Sequence, residues 1–293
     1  MSPRRGLITG AAGQLGSDLQ ALLGETWALT ALSHAELDVT DDQAVADAVE
    51  AARPEVVFNC AAFHNVEACE TAEDTAAAVN VRAVKRLAER AEAAGAALVH
   101  LSTNYVFDGV REDPYMESDL PCPRSVYAIT KHAGEHAALA YCSRALVVRT
   151  AGLYGLHGSA SKGGNFVTRM LARAREQGEL RVVADQRLSP TFTADLAIGL
   201  IAALDAGVTG LLHLTSSGGC SWYEFTEAIV DLAGMDVPVE ATGTSIPPGG
   251  ASRPLNGVLR SEAGPAAGLG ALRDWREALA DYMDRAGLAT AGR

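Results

Sequence analysis

From Gly6 to Arg149 the chain alternates short apolar runs with longer stretches rich in Ala, Leu, Glu and Lys or Arg, and this rhythm constrains the fold more than any other feature. The apolar runs occupy residues 6–9, 27–32, 55–60, 97–102 and 145–149; the helical patterns between them occupy 14–23, 41–52, 73–94 and 125–141. A strand that is apolar at nearly every position is buried on both faces, and parallel strands need a crossover of a dozen or more residues between them. The alternation therefore predicts an α/β fold, a doubly wound parallel sheet whose ligands bind outside the carboxyl ends of the strands.

Beyond Thr150 the rhythm loosens. A Gly/Ser-rich stretch at 155–164 and Pro247-Pro248-Gly249-Gly250 interrupt it, while helical patterns at 165–177, 194–204 and 222–233 alternate with short strand candidates at 180–184 and 211–214. The expected organisation is a dinucleotide-binding domain over 1–150 and a smaller mixed α/β substrate-binding domain over 151–293, with the chain crossing back to the first domain around 190–206.

The first strand runs into Thr9-Gly10-Ala11-Ala12-Gly13-Gln14-Leu15-Gly16, with glycine at three-residue intervals before a helical pattern. Glycine lets the backbone turn tightly and approach a pyrophosphate without a Cβ in the way, and the helix that follows offers unpaired N–H groups and the positive end of its dipole. Strand, glycine turn and helix together read as a Rossmann-like dinucleotide site. At the end of the second strand, where a carboxylate would hydrogen-bond a ribose 2′-hydroxyl and repel a 2′-phosphate, stand Ser33 and His34. Neither repels a phosphate, so the balance tilts towards NADPH and leaves NADH open. Asp38, a few residues on, reads either as a helix cap or as a contact to the adenine end.

The fourth apolar run ends in Ser102-Thr103-Asn104-Tyr105, a hydroxyl-bearing step at the active edge of such a sheet. Next comes Tyr127-Ala128-Ile129-Thr130-Lys131, whose Tyr and Lys share a helix face. An ammonium beside a phenol favours the phenolate and lowers a pKa that starts near about 10. Tyr127 is thus the candidate proton donor to a carbonyl and Thr103 a hydrogen-bond donor to the same oxygen. The overlapping His132-Ala133-Gly134-Glu135-His136 matches a zinc-peptidase pattern, but no third ligand stands out and no metal is expected.

Composition narrows the partners. Lys plus Arg number 24 against 36 Asp plus Glu, a formal charge of −12 that disfavours nucleic acid. No apolar stretch is long enough for a membrane span, and Arg4-Arg5 is not followed by a signal-peptide core. Cys60, Cys69, Cys122, Cys142 and Cys220 are scattered without a C-x-x-C pair, which suits reduced thiols and a cytoplasmic location.

Taken in order, these motifs resemble the extended short-chain dehydrogenases, and within them the dTDP-4-dehydrorhamnose reductases. The resemblance includes residues 8–16, 53–62 and 100–109, Tyr127 and Lys131 with Ala133-Gly134-Glu135, then Gly164-Asn165-Phe166-Val167, residues 185–191 and Ser252-Arg253-Pro254. It implies a Thr103, Tyr127, Lys131 triad that uses NAD(P)H to reduce the 4-keto group of a dTDP-linked 6-deoxyhexose. It also implies a cofactor lining of Gly10, Gly13, Gln14, Leu15, Asp38, Val39, Ala61, Ala62, Phe63 and Asn80, together with Tyr127 and Lys131. Arg253 falls to the substrate side, beside Thr103, Asn104 and Gly152.

Three positions depart from the family pattern. Asn104 stands where an Asp is usual, Gly152 where a Trp is usual, and Ala68 where a Lys is common. The first two fall beside the sugar, so the reaction type is expected to hold while recognition of the sugar changes. Two other functions are compatible with the same motifs: a non-catalytic NADP-binding regulatory subunit, and an epimerase or synthase that oxidises and re-reduces its sugar. Homodimerisation is left open.

Overall fold

A computed structural model describes residues 2–157 and 163–290. The first half runs β1 (Arg4–Thr9), α1 (Gln14–Leu23), β2 (Trp27–Leu32), α2 (Asp42–Ala52), β3 (Val56–Asn59), α3 (Val66–Thr71), α4 (Glu73–Ala77), a π-helical turn (Ala78–Arg82), α5 (Ala83–Ala93), β4 (Ala97–Thr103), α6 (Val126–Tyr141) and β5 (Ala145–Thr150). The second half continues with β6 (Leu153–Tyr154), α7 (Phe166–Gln177), β7 (Leu180–Val183), β8 (Arg187–Leu188), β9 (Thr191–Phe192), α8 (Thr193–Asp205), β10 (Gly210–His213), β11 (Ser216–Ser217), β12 (Cys220–Ser221) and α9 (Trp222–Leu232). It ends with β13 (Val239–Thr242), β14 (Asn256–Gly257), α10 (Ala263–Ala266), β15 (Leu272–Asp274) and α11 (Trp275–Arg285). Part of the Gly/Ser-rich stretch, residues 158–162, lies outside the described residues.

Six parallel strands form the central sheet in the order β10-β5-β4-β3-β1-β2. The order reverses beside β1, the crevice where a doubly wound sheet binds its ligand. Alternate residues of each strand feed opposite cores, as the period of two requires. Leu7, Val57, Leu98 and Val147 pack with α2, α5 and α6, whereas Ile8, Phe58, Val99 and Val148 pack with α1 and α8. Both faces are covered, which is why these strands carry almost no polar residues in their middles.

The exceptions sit near the carboxyl edge. Thr9, Asn59 and His100 are register partners across β1, β3 and β4, and all three are buried. Thr9 Oγ1 donates to Asn59 Oδ1 at 2.9 Å, and Asn59 Nδ2 donates to His100 Nδ1 at 3.1 Å. The row satisfies most of its own polar atoms, leaving His100 Nε2 buried without a protein partner.

After β5 the chain builds a second lobe around Tyr154, Phe192, Phe225, Trp275 and Tyr282, which form one aromatic cluster. The chain then returns through α8, which packs on α1, to add β10 to the edge of the main sheet. Short strand pairs hold the second lobe together, among them β8 with β14 and β12.

Candidate active site

The glycine turn after β1 is built by sterics. Gly10 has φ +66°, and a Cβ there would stand 2.8 Å from the Ala61 amide nitrogen. A Cβ on Gly16 would meet the Gly10 carbonyl at 2.7 Å, so α1 packs directly on the turn. Gly13 caps α1 without a side-chain hydrogen bond, and no acidic residue occupies the first turn. This leaves the positive end of the helix clear for an anion. Gln14 donates to the Leu153 carbonyl at 3.4 Å, tying the turn to the second lobe, and its Oε1 is buried with no protein partner. The cradle and that orphaned acceptor fit a dinucleotide.

The remaining residues assigned to the cofactor side divide. Leu15 and Val39 are core residues, packed into the clusters on opposite faces of the sheet. The Asp38 carboxylate accepts from the Thr40 amide and hydroxyl at 2.9 and 2.8 Å, closing a turn, while Asp41 provides the cap of α2. Asn80, at the centre of the π-helical turn and only 1% exposed, pairs with both the N–H and the carbonyl of Phe63 at 3.0 Å and donates to Thr130. It fixes the 61–63 segment that flanks the cleft. Beside Ser33 the structure brings a residue that the sequence reading missed: Glu36 accepts from the Ser33 amide and hydroxyl at 2.8 and 2.7 Å. A carboxylate thus does stand at the end of β2.

On the other side of β3, the end of β4 and the first turn of α6 bring Thr103 and Tyr127 together. Ser125, two residues before Tyr127, caps α6 with its side chain on the Ala128 amide. Thr103 caps the short 3-10 turn at 104–106 by accepting from the Tyr105 amide at 3.2 Å. Its hydroxyl is also near enough to the Tyr127 phenol to favour the ionised form. Burial pushes the phenol well above its ordinary value, with Thr103 opposing. Lys131 does not act on it as the helix spacing suggests: Nζ donates instead to the Leu101 carbonyl at 2.6 Å. The expectation of a phenol already lowered by the ammonium is therefore corrected. Tyr127 is held as the protonated form, which is the form that gives a proton away. Lys131 itself is buried and pushed down to about 8 by loss of hydration, with Glu135 and Cys60 opposing.

Beneath the pair lies a buried charge cluster. Glu135, one turn beyond Lys131, takes two hydrogen bonds of 2.8 Å from Arg149 on β5 and one of 2.5 Å from Ser102, and it contacts His132 Nδ1 at 2.9 Å. These donors pull its carboxyl down to about 2 against the opposing effect of burial. Among the described residues no group of three or more His, Cys, Asp or Glu side chains that could hold a metal converges. Arg149 Nη1 faces His213 Nε2 at 3.5 Å, while His213 Nδ1 lies 3.2 and 3.1 Å from the carbonyls of Tyr115 and Arg260. Two carbonyls demand a proton on Nδ1 and the guanidinium demands a lone pair on Nε2, so His213 is neutral, and burial lowers its pKa accordingly. Two signals in the sequence point to this cluster: Glu135 continues the Tyr127, Lys131 face at i+8, and Arg149 is a charge inside an apolar strand.

On the substrate side, Asn104 is 4% exposed and donates Nδ2 to the Gly257 carbonyl at 3.0 Å, while Oδ1 accepts from the Thr103 hydroxyl at 3.3 Å. Gly152 has φ +54°, and a Cβ there would stand 2.5 Å from Leu188 Cδ1. Arg253 reaches back to the first lobe: Nη2 donates to Glu67 on α3 at 2.6 Å, and the guanidinium is close enough to Tyr105 to oppose the upward push of burial on its phenol. Tyr105 in turn packs edge-on against Tyr127, ring centres 5.6 Å apart. Arg253 therefore lies two side chains from the phenol.

Residues 4–287 match the family model described as the RmlD substrate binding domain. The chain belongs to this family. It is 42% identical over 282 residues to a probable dTDP-4,6-dihydroxy-2-methyloxan-3-one 4-ketoreductase of Streptomyces antibioticus, covering 94% of this chain and 93% of the relative. It is 40% identical to the dTDP-4-dehydrorhamnose reductase of Streptomyces griseus, over 94% and 92% of the two chains. Among solved structures, the dTDP-4-dehydrorhamnose reductase of Bacillus anthracis in complex with NADP superposes with a TM-score of 0.91 at 33% identity, covering 97% of this chain and 99% of that one. A Thermotoga maritima UDP-glucose 4-epimerase, 18% identical with a TM-score of 0.82, shares the fold.

Proposed function

We propose that this family member reduces the 4-keto group of a nucleotide-linked, dTDP-type 4-keto-6-deoxysugar with NADPH or NADH, in deoxysugar biosynthesis. The observation that carries the reading is the juxtaposition of Thr103, at the end of β4, with Tyr127, in the first turn of α6, on the same sheet edge as the Gly10–Gly16 turn. Relatives across nearly the full length are named as reductases of such sugars, and one solved relative holds NADP.

The turn at Gly10, Gly13 and the start of α1 would hold the pyrophosphate, with the 61–63 segment alongside. A bound reduced dinucleotide supplies a hydride to the carbonyl carbon. Thr103, by turning its proton from Asn104, and Tyr127 would both offer hydroxyls to the carbonyl oxygen, and Tyr127, protonated at neutral pH, would deliver its proton there as the C=O becomes an alcohol. Stabilising the phenolate left behind would fall to the Lys131 ammonium, one helical turn along, once it leaves the Leu101 carbonyl. Asn104, Gly152 and Arg253 lie on the sugar-nucleotide side, and Arg253 offers a planar cation to a diphosphate. No metal takes part in this reading.

The reading places the enzyme in the cytoplasm, with a sugar nucleotide as its partner and neither nucleic acid nor membrane. The formal charge of −12 supports the former exclusion, and among the described residues no helix is long and apolar enough to cross a membrane. Whether two copies associate is answered by sedimentation. The function is tested by following loss of NADH and NADPH absorbance with dTDP-4-keto-6-deoxyglucose or its 3,5-epimer. Wild type is expected to consume cofactor stoichiometrically and Tyr127→Phe to lose at least about a hundredfold in rate. Cofactor that is retained but not consumed would point instead to an epimerase, and binding without turnover to a regulatory subunit.

A further inference from the structure

Tyr127 is carried by the first turn of α6, and the chain enters that turn from an irregular stretch, 120–124, that is half-buried or exposed throughout. The first N–H groups of a helix have no partner within it, so such a turn is held only as well as something outside it takes those donors. Ser125 takes one, but its hydroxyl stands 3.3 Å from the Ala128 amide, long for a bond of this kind. Another is taken from a distant part of the chain. Glu70 on α3, 56 residues earlier, accepts from the Val126 amide at 2.9 Å. This bond is the shorter of the two, and it sets a carboxylate at the positive end of the helix.

The helix that presents Glu70 is itself fixed. Asn65 caps it on the Ala68 amide at 3.1 Å, Cys69 is buried with Sγ 3.5 Å from the Phe63 carbonyl, and Glu67 accepts from the Ala251 amide at 3.0 Å and from Arg253 at 2.6 Å. A second hold on Tyr127 starts from the same segment. Asn80, paired with Phe63, donates to the Thr130 hydroxyl at 3.2 Å, and that hydroxyl donates to the Tyr127 carbonyl at 3.0 Å. The Tyr127 backbone is thus gripped on both sides, at the amide before it by Glu70 and at its own carbonyl by Thr130. Thr130 belongs to α6 and holds the turn from within, whereas Glu70 holds its leading edge from outside.

We infer that Glu70 is a positioning residue for the reduction: by accepting the Val126 N–H it fixes the first turn of α6, and with it the place of the Tyr127 hydroxyl beside Thr103. The inference rests on the ketoreductase reading above and adds to it a residue that acts only through the backbone at 126–127. Misplacing a reacting group by about 1 Å costs about a hundredfold in rate, so loss of this acceptor is expected to lower kcat by about tenfold to a hundredfold. Affinity for cofactor and sugar nucleotide should change little, because the Gly10–Gly16 turn and Arg253 keep their own contacts.

The experiment measures kcat and KM for dTDP-4-keto-6-deoxyglucose, with NADPH and with NADH, in wild type, Glu70→Ala, Glu70→Gln and Asp274→Ala, the last of which removes the cap of α11 in the second lobe. Glu70→Ala is expected to lose about tenfold or more in kcat with both KM values within about twofold of wild type. Glu70→Gln, whose amide oxygen still accepts the Val126 N–H, should stay within about threefold of wild type in kcat. Asp274→Ala loses a cap of similar strength and should keep its kcat, which separates placement of Tyr127 from general loosening of the fold. A Glu70→Ala kcat within about twofold of wild type overturns the inference, as does a Glu70→Gln as slow as Glu70→Ala or an equal fall in Asp274→Ala. Should Glu70→Ala fail to fold, Glu70→Asp, one methylene too short to reach the amide, takes its place with the same expected fall in kcat. These outcomes leave the ketoreductase reading intact, whereas a wild type that turns over neither this sugar nor its 3,5-epimer sinks that reading and the inference with it.

Discussion

The Arg149 guanidinium holds both oxygens of Glu135 at 2.8 Å in a site where each side chain is 3% exposed, directly beneath the helix that carries Tyr127 and Lys131. A buried pair of this kind contributes little net stability over an apolar pair of the same shape, but losing one partner strands a charge. Arg149→Met is therefore expected to destabilise the fold by about 3–5 kcal/mol. The Arg149→Met, Glu135→Gln double variant should recover part of that loss, because no charge is left stranded. Urea unfolding of the single and double variants measures both, and a single variant within about 1 kcal/mol of wild type would contradict the account.

The same carboxylate sets an acid limit. Glu135 is held down to about 2 in the fold against an ordinary 4.5, so the folded state binds the proton less tightly than the unfolded chain. The stability this supplies is fully present above about 4.5 and drains away as pH falls from there towards 2. Wild type should lose stability steeply over that interval, and Glu135→Gln, though less stable at neutral pH, should show a flatter acid limb in urea titrations at successive pH values.

Lys131 gives a limit at the other end. Its ammonium is pushed down to about 8 by burial, and only the charged form stabilises the phenolate that Tyr127 becomes after proton transfer. The rate should therefore hold below about 8 and fall as pH rises through it, with Lys131→Met already low and without that inflection. A wild-type pH–rate profile flat to 10 would remove Lys131 from this role.

The strand and helix rhythm of the first half was legible because residues such as Val57 and Val99 must be apolar on both sheet faces, and the Tyr127–Lys131 helix followed from spacing, whereas its Ser125 cap emerged only in the structure. α3 and α11 were not read: Val66–Thr71 is too short to show a period, and Trp275–Arg285 begins at an Asp274 cap inside a stretch without strand partners nearby in sequence. At the site, the departures at 104 and 152 were visible, but their consequences were not. Gly257 lies 153 residues from Asn104, and Leu188 meets the space at Gly152 only through a strand pairing. The direction of the Tyr127 shift was also misread, since helix spacing shows that Lys131 shares its face but not that Nζ donates to the Leu101 carbonyl.

Glu36 bears on the choice of cofactor. Its carboxylate, pinned to Ser33 at the end of β2, is lowered by those hydrogen bonds and so stays charged at neutral pH. It lies on the flank where a 2′-phosphate would approach. Glu36→Gln should lower KM for NADPH severalfold and leave KM for NADH nearly unchanged, with the difference shrinking at high salt as surface charge is screened. Equal changes for both cofactors would show that the carboxylate only closes the turn.

Asn104 supplies the last test, because only an amide can do what it does there. Nδ2 donates to the Gly257 carbonyl at 3.0 Å, joining the end of β4 to the second lobe, and a carboxylate at that position would set oxygen against oxygen. Asn104→Asp keeps the volume and removes the donor, so the buried carbonyl loses its partner at a cost of about 1–3 kcal/mol. The new charge would also draw the Thr103 hydroxyl proton, which now goes to Oδ1 at 3.3 Å, more firmly away from the Tyr127 phenol. The variant should therefore show lower urea resistance and a kcat reduced by about tenfold or more, with cofactor affinity unchanged because the glycine turn is untouched. Asn104→Ala, which loses the donor without adding a charge, should cost comparable stability but less of kcat. If the two variants fell equally in kcat, the Thr103 proton would not be what the side chain at 104 controls.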